Sequence, residues 1–409
     1  VLCIVLLSFA AAFSPQRAAP RTLLLHYSSF GDDNELAQAL RARQEELQNQ
    51  DDGRYENWKT AKCETSIPIA LPDWVRRIDI QYPLVAAGSS SGTIFLSHAE
   101  TGDIIAQSET LEVEELDDIE SVIRILYGPY DGGGTTAIAM SGDLIISAGR
   151  QGSVQIHRYD KSSKILLSQG SIKALEGVLV TCLELHEDHA WIGTADGRVL
   201  ALSHSDAMKP LSLQNKPAVE FTAGSSAILS LSLEPSIGYG VFTTAKGSVE
   251  LFSMENDNRI LASWYPPFDR GVSRQSRNTH PLAATIVASK DESKFYMACG
   301  ASDGSLYLHP LAWTDGDLDI LHPLQGEAIE CAPRHQGALK CLTSPKPGLL
   351  ISGGQDGAIR MWDVSEGICQ YQFMGYKVWL GSLCTDGIRL VSDGADNTIV
   401  VHNFDSQQE

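Results

Sequence analysis

Between residues 84 and 403 one alternation dominates the chain: a short apolar run, a few small residues, a glycine or asparagine, then a second apolar run. It reads LVAAGSSSGTIFLSH from Leu84, LIISAGRQGSVQIHR from Leu144, AWIGTADGRVLALS from Ala190 and GVFTTAKGSVELFS from Gly240. It continues as YMACGASDGSLYLH from Tyr296, LLISGGQDGAIRMWD from Leu349 and RLVSDGADNTIVVHN from Arg389. Helical periodicity is missing from all of these segments. Apolar runs this short, bounded by small and turn-forming residues, predict strands buried on both faces. The turn falls at Gly92, Gly152, Gly197, Gly247, Gly304, Gly357 and Asn397. Glycine and asparagine accept a positive φ cheaply, so each copy predicts a tight hairpin.

The sixth copy adds chemistry to the pattern. Read from His335, HQGALKCLTSPKPGLLISGGQDGAIRMWD resembles a complete WD repeat, with His335, Ser352, Asp356 and Trp362 at the spacings of that family's buried tetrad. The resemblance implies that Asp356 accepts from backbone and from His335, and that Ser352 reaches the indole N–H. Such a satisfied polar network locks a blade, so this His-Ser-Asp set is structural and not a hydrolase triad. The other copies are degenerate. Where the sixth has Trp362 they place Ser97, His157, Leu202, Phe252, His309 and His402. Where it has Asp356 they place Ser91, Gln151, Asp196, Lys246, Asp303 and Asp396. The turn residues recur every 40 to 60 positions, close to the roughly 40 to 45 of a four-stranded blade. The resemblance implies an all-β, seven-bladed β-propeller of the WD-repeat type over residues 66–404, with residues 405–409 as a tail.

The count of strands bears on how the ring closes. The last copy supplies strands near Val378–Leu383, Leu390–Ser392 and Thr398–His402, one short of four. Upstream of the first copy lies a spare apolar strand, Ser66-Ile-Pro-Ile-Ala-Leu71, whose Pro68 suits only an edge. Pairing it with the last blade would close the ring and leave only short edges. Before it, residues 32–65 form an arm. Asp33–Gln48 predicts a short helix, capped by Asp32, Asp33 or Asn34, with Leu36, Ala39, Leu40 and Leu47 near one face.

Residues 1–31 read as a targeting segment. Val1 is not methionine, so the natural start is expected upstream. VLCIVLLSFAAA is the apolar core and cleavage site of a signal peptide, too short for a membrane span. FSPQRAAPRTLLLHYSSFG follows with Arg17, Arg21 and no acid, a transit-peptide composition. The AAAFSP junction, with Phe13 after the cut, resembles the bipartite plastid-targeting sequences of diatoms and related algae. It implies a stromal protein, with the secretory pathway or cytoplasm as alternatives.

Charge narrows the partners. Asp and Glu number 51 against 31 Lys and Arg, a net charge of −20, which disfavours nucleic acid. No apolar stretch reaches the roughly 18 to 20 residues of a transmembrane helix. The eight cysteines form no C-x-x-C pair, so neither a disulfide framework nor a zinc site is expected.

Two insertions interrupt the blades. Residues 109–120, ETLEVEELDDIE, hold Glu112, Glu114, Glu115, Asp117 and Asp118 and could meet a basic partner or simply be a solvated loop. Residues 264–279, WYPPFDRGVSRQSRNT, set Trp264, Tyr265 and Phe268 beside Arg270, Arg274 and Arg277. That mixture makes protein hot spots and could also stack on single-stranded RNA. Motifs for phosphate loops, nucleophile elbows and zinc hydrolases are missing, so no catalytic residues, cofactor or metal are expected. The expectation is a non-catalytic protein-binding scaffold in a plastid complex. The alternatives are an RNA-associated stromal scaffold using 264–279, or a small-molecule site at the channel mouth.

Overall fold

The computed structural model describes residues 35–108, 134–149, 154–172, 175, 178–203, 219–224, 226–254, 260–267, 279–313, 321–323, 328–374, 380–394 and 397–405. The chain divides into two units, Val1–Asp51 and Asp52–Glu409. Helix α1 spans Glu35–Thr60 and strand β1 spans Glu64–Ala70. Blade one then follows as β2 (Val75–Gln81), β3 (Leu84–Ser89), β4 (Ile94–His98) and β5 (Ile104–Gln107). Blade two is β6 (Thr135–Ser141), β7 (Leu144–Gly149), β8 (Val154–Asp160) and β9 (Ile165–Ile172). Blade three is β10 (Val180–His186), β11 (His189–Thr194), β12 (Arg198–Ser203) and β13 (Val219–Thr222). Blade four is β14 (Ile228–Glu234), β15 (Tyr239–Thr244), β16 (Val249–Ser253) and β17 (Ile260–Trp264). Blade five is β18 (Pro281–Ala288), β19 (Phe295–Ala301) and β20 (Leu306–Trp313), edged by β21 (Leu321–Pro323) and β22 (Ile329–Glu330). Blade six is β23 (Leu339–Thr343), β24 (Leu349–Gly354), β25 (Ile359–Asp363) and β26 (Ile368–Phe373). Blade seven is β27 (Leu383–Thr385), β28 (Arg389–Asp393), β29 (Thr398–Asn403) and, on its outside, β1.

The first strand of each blade touches that of the next, and β27 of blade seven touches β2 of blade one, so the seven-bladed propeller is closed. β1 pairs antiparallel with β29, from Glu64 opposite Asn403 to Ala70 opposite Thr398. The core is divided accordingly. Seven apolar clusters each lie between two neighbouring blades, as Val241, Leu251 and Trp264 meet Ile286, Met297 and Tyr307 between blades four and five. Strands flanked on both faces by other blades must be apolar on both faces, which is why the runs are continuous and not alternating.

Two local features set the geometry of the middle. First, every turn position predicted from the repeat and described here has a positive φ, from 62° at Asn397 to 99° at Gly247; Gly152 lies outside the described residues. At Gly304 a second constraint is added, because a Cβ there would strike the His335 carbonyl oxygen of the following blade. Second, the innermost strands of blades one to six are irregular at one shared register point. The breaks lie between Val75 and Arg77, Thr135 and Ala137, Val180 and Cys182, Ile228 and Ser230, Pro281 and Ala283, and Leu339 and Cys341. The extra residue is left out of the ladder. Thr136, Thr181, Leu229, Leu282 and Lys340 occupy this place and line the central channel.

Two elements differ from expectation. The helix runs on to Thr60, well past Gln48. Asp51, Asp52 and Gly53 look like a stop, but beyond them Trp58 is fully buried, stacked on Phe404 at 3.5 Å and donating to the Gly387 carbonyl at 3.1 Å. Arg54 pairs with Asp405 at 2.6 Å and Asn57 donates to the Phe404 carbonyl at 2.9 Å. This docking stabilises a helical turn that propensity alone would not. In blade seven the first strand begins only at Leu383, because the Gly381 and Ser382 N–H groups donate to the Asp393 carboxylate instead of to a ladder.

Candidate functional site

In blade six, β24 and β25 place Leu350 opposite Trp362 and leave Ser352 within reach of the indole. His335 bonds Asp356 Oδ1 through Nδ1 at 2.8 Å and Ser352 Oγ through Nε2 at 2.7 Å. The Trp362 indole N–H donates to the same hydroxyl at 2.7 Å. Asp356 also accepts from the Gln336 N–H at 3.0 Å and lies 3.4 Å from the Arg360 guanidinium. Burial lowers the His335 pKa despite the adjacent carboxylate, and keeps the imidazole neutral. Burial would raise Asp356, but the His335 and Gln336 bonds outweigh it and hold the acid ionised. The set is sealed: Ser352 and Trp362 are fully buried and His335 nearly so. A serine occupied by an indole and an imidazole offers no face to a substrate.

Other blades make the equivalent tie, from the turn after the second strand to the segment leading into the first, with different atoms. In blade one Asp73 accepts from Ser90 Oγ at 2.6 Å and from the Ser91 N–H at 2.8 Å. Burial opposes ionisation there, yet these bonds pull Asp73 down to about 2. Blade four uses Ser226, which accepts from the Lys246 N–H at 2.9 Å, and blade five Ser302, which accepts from the His280 N–H at 3.0 Å. At the place of Trp362, Ser97 Oγ, His157 Nδ1 and His309 Nδ1 have no partner among the described residues. His309 stacks instead on Trp264 at 4.7 Å, and His402 on Phe373 at 4.3 Å.

The channel has a volume of about 480 Å³ and is lined by the innermost strands. Its wall is polar and stitched from blade to blade. Asp79 accepts from the Met140 N–H of blade two at 2.7 Å, and Gln81 from the Gly142 N–H. Glu184 of blade three accepts from the Leu233 N–H of blade four at 3.2 Å. Ser232 bonds Thr285 of blade five at 3.0 Å, and Ser382 of blade seven accepts from the Ile78 N–H of blade one at 3.1 Å. Burial raises both wall acids, Asp79 to about 6 and Glu184 to about 8, and also Asp393 at the end of β28, to about 7, each partly offset by backbone N–H donors. Sequence reading missed this set. The signal was present in VRRIDIQ and VTCLELH, where charged residues alternate with apolar ones in strands otherwise read as buried on both faces.

Comparison with known proteins bears on the sixth blade. The family described as WD domain, G-beta repeat (WD40) matches residues 328–363. The match is one repeat long. The match starts on β22, which pairs with β20 of blade five, and ends on β25, so the WD40 repeat is offset from the blade and spans two of them. WD repeat-containing protein 18 of Danio rerio is 30% identical over 80 residues, 19% of each chain. The p21-activated protein kinase-interacting protein 1-like of Danio rerio is 23% identical over 165 residues, 40% of this chain and 42% of its own. Nuclear distribution protein PAC1-2 of Uncinocarpus reesii is 34% identical over 76 residues, 17% of each. These matches span from about a fifth to two fifths of the relatives' lengths. Among solved structures, a computationally designed protein, Ika8, superposes with a TM-score of 0.49 at 17% identity over 82% of this chain and 99% of its own. The fold is a seven-bladed β-propeller in which residues 328–363 match the WD40 repeat.

Around the WD40 repeat and its sister blades, the surface candidates separate. Trp264 ends β17 and is only 9% exposed, packed in the cluster between blades four and five, so it is a core residue and not a contact. Tyr265 beside it is 61% exposed. Phe268, Arg270, Arg274, Arg277 and the acidic set Glu112, Glu114, Glu115, Asp117 and Asp118 lie outside the described residues, as do residues 1–31. The topology does fix where these loops are anchored. Residues 108–134 link β5 to β6 and residues 265–280 link β17 to β18, each from an outermost to an innermost strand. In an antiparallel blade both links leave on the face that carries the tetrad turns. Among the described residues no group of three His, Cys, Asp or Glu could hold a metal, and no helix is long and apolar enough to cross a membrane. The seven described cysteines are free, and burial pushes Cys182 and Cys331 up to about 12, which leaves them as unreactive thiols.

Proposed function

We propose that the protein is a non-catalytic scaffold that offers the face carrying residues 108–134 and 265–280 to partner proteins, within a plastid complex. The observation that carries this reading is the pairing of a closed ring with two long connections anchored on one face. Loops held by a rigid frame are where binding residues concentrate. WD-repeat propellers generally act as such platforms, and one relative is named for interacting with a kinase. The plastid address rests on residues 1–31, with their acid-free stretch after Phe13.

Affinity purification of the tagged protein from its native cell, with cross-linking and mass spectrometry, tests both parts. Plastid proteins cross-linked through 109–120 or 265–279 are the expected result. Recovery of the protein alone removes the scaffold, and recovery with non-plastid proteins removes the address.

A further inference from the structure

We propose that the channel holds a small phosphate-bearing molecule between Lys340 and Arg77, at the end where the innermost strands begin. Lys340 is the extra residue of the irregularity in β23, so it stands outside the ladder and lines the channel. Arg77 comes from β2, on another blade, and lines the same space. Its guanidinium interacts electrostatically with Asp393, Cys341 and Cys182, on blades seven, six and three. A group reached from three other blades stands near the axis.

Two cations thus line one channel, Arg77 half-buried and Lys340 exposed at its open end. Loss of solvent disfavours the charge on Arg77 and, in part, on Lys340, and Arg77 further disfavours that of Lys340. Asp393 is the carboxylate beside Arg77, and its oxygens are already engaged by the Gly381 and Ser382 N–H groups. Among the described residues Lys340 makes no hydrogen bond or ion pair. The channel acids lie one level deeper. Asp79 and Glu184 follow Arg77 and its register equivalent Cys182 by two residues, and each is bonded to the backbone of the next blade. With Asp393 set against Arg77, the charge of Lys340 is the one left without a partner among the described residues, and the upper level keeps a positive balance.

A phosphate fits this arrangement better than a carboxylate. It spreads its charge over three acceptor oxygens and can meet an arginine and a lysine from different walls. Thr136, Thr181 and Ser230 line the same level. The volume, about 480 Å³, falls within the roughly 300–1,000 Å³ of small-molecule sites and leaves room for a body attached to the phosphate. The deeper acids and the net charge of −20 would turn away a larger polyanion.

The site is independent of the partner-binding reading. Its test is titration calorimetry and thermal unfolding of the full chain with inorganic phosphate and pyrophosphate, at constant ionic strength against chloride. Wild-type protein should bind and gain thermal stability. Lys340→Gln should weaken binding about tenfold or more, the loss of a charge-assisted hydrogen bond. Lys340→Arg should retain binding, and so should Lys161→Gln on the exposed turn after β8. Without phosphate, Lys340→Gln should unfold at the same or a higher temperature, because it relieves the repulsion with Arg77. No binding by wild type, equal binding by Lys340→Gln, or a clear loss of stability in phosphate-free Lys340→Gln would each overturn the proposal.

Discussion

Trp362 and Ser97 occupy equivalent places in their blades, opposite Leu350 and Val85, yet only one has a polar partner. The Trp362 N–H meets Ser352, whereas the Ser97 hydroxyl is buried and unsatisfied among the described residues. Removing a shared acceptor orphans its neighbours, while removing an orphan does not. Ser352→Ala should therefore destabilise by about 1–3 kcal/mol for each of the indole and imidazole groups it strands, and Ser97→Ala should be neutral or stabilising. Chemical denaturation of the two variants reads the difference directly. The sixth repeat was legible because its four polar residues fall at fixed intervals. The ties in blades one, four, five and seven were not, because Asp73, Ser226, Ser302 and Asp393 make the same connection from other positions in the repeat.

At the scale of elements, the strands were legible and the helix end was not. Apolar runs flanked by glycine turns leave little choice of local structure. The last turns of α1 depend on what Trp58 meets, and Phe404 lies at the far end of the sequence. Trp58→Ala should cost about 3–5 kcal/mol, the range for deleting a buried large side chain. Deletion of residues 1–51 should leave thermal unfolding almost unchanged, whereas deletion of 1–70 should abolish a cooperative transition. Calorimetry of the two truncations separates a clip from a dispensable arm.

At the scale of the whole molecule, the channel and the blades titrate in opposite senses. Raised acids favour the folded state when protonated, so their contribution is complete below the ordinary carboxylate range and is lost as pH rises through about 6 for Asp79, 7 for Asp393 and 8 for Glu184. His157, His309, His335 and His402 are lowered by burial, His402 to about 4, so their contribution is present above the ordinary histidine value and is lost as pH falls. The two effects oppose each other between about pH 4 and 6.5, and only the acids remain above that. Thermal stability should fall from pH 6.5 to 8.5, and Glu184→Gln should flatten the fall while keeping an acceptor for the Leu233 N–H. A stability that rises across this window would refute the assignment.

The pairing of β1 with β29 also sets an order of events during synthesis. Glu64 leaves the ribosome long before its partner Asn403 exists. At roughly 5–20 residues per second, the interval is on the order of tens of seconds. Throughout it the apolar residues of β1 have no strand to join, and the six blades already made have no seventh to close against. Ring closure thus waits for β29, and the nascent chain should be captured by holding chaperones until residue 403 has emerged.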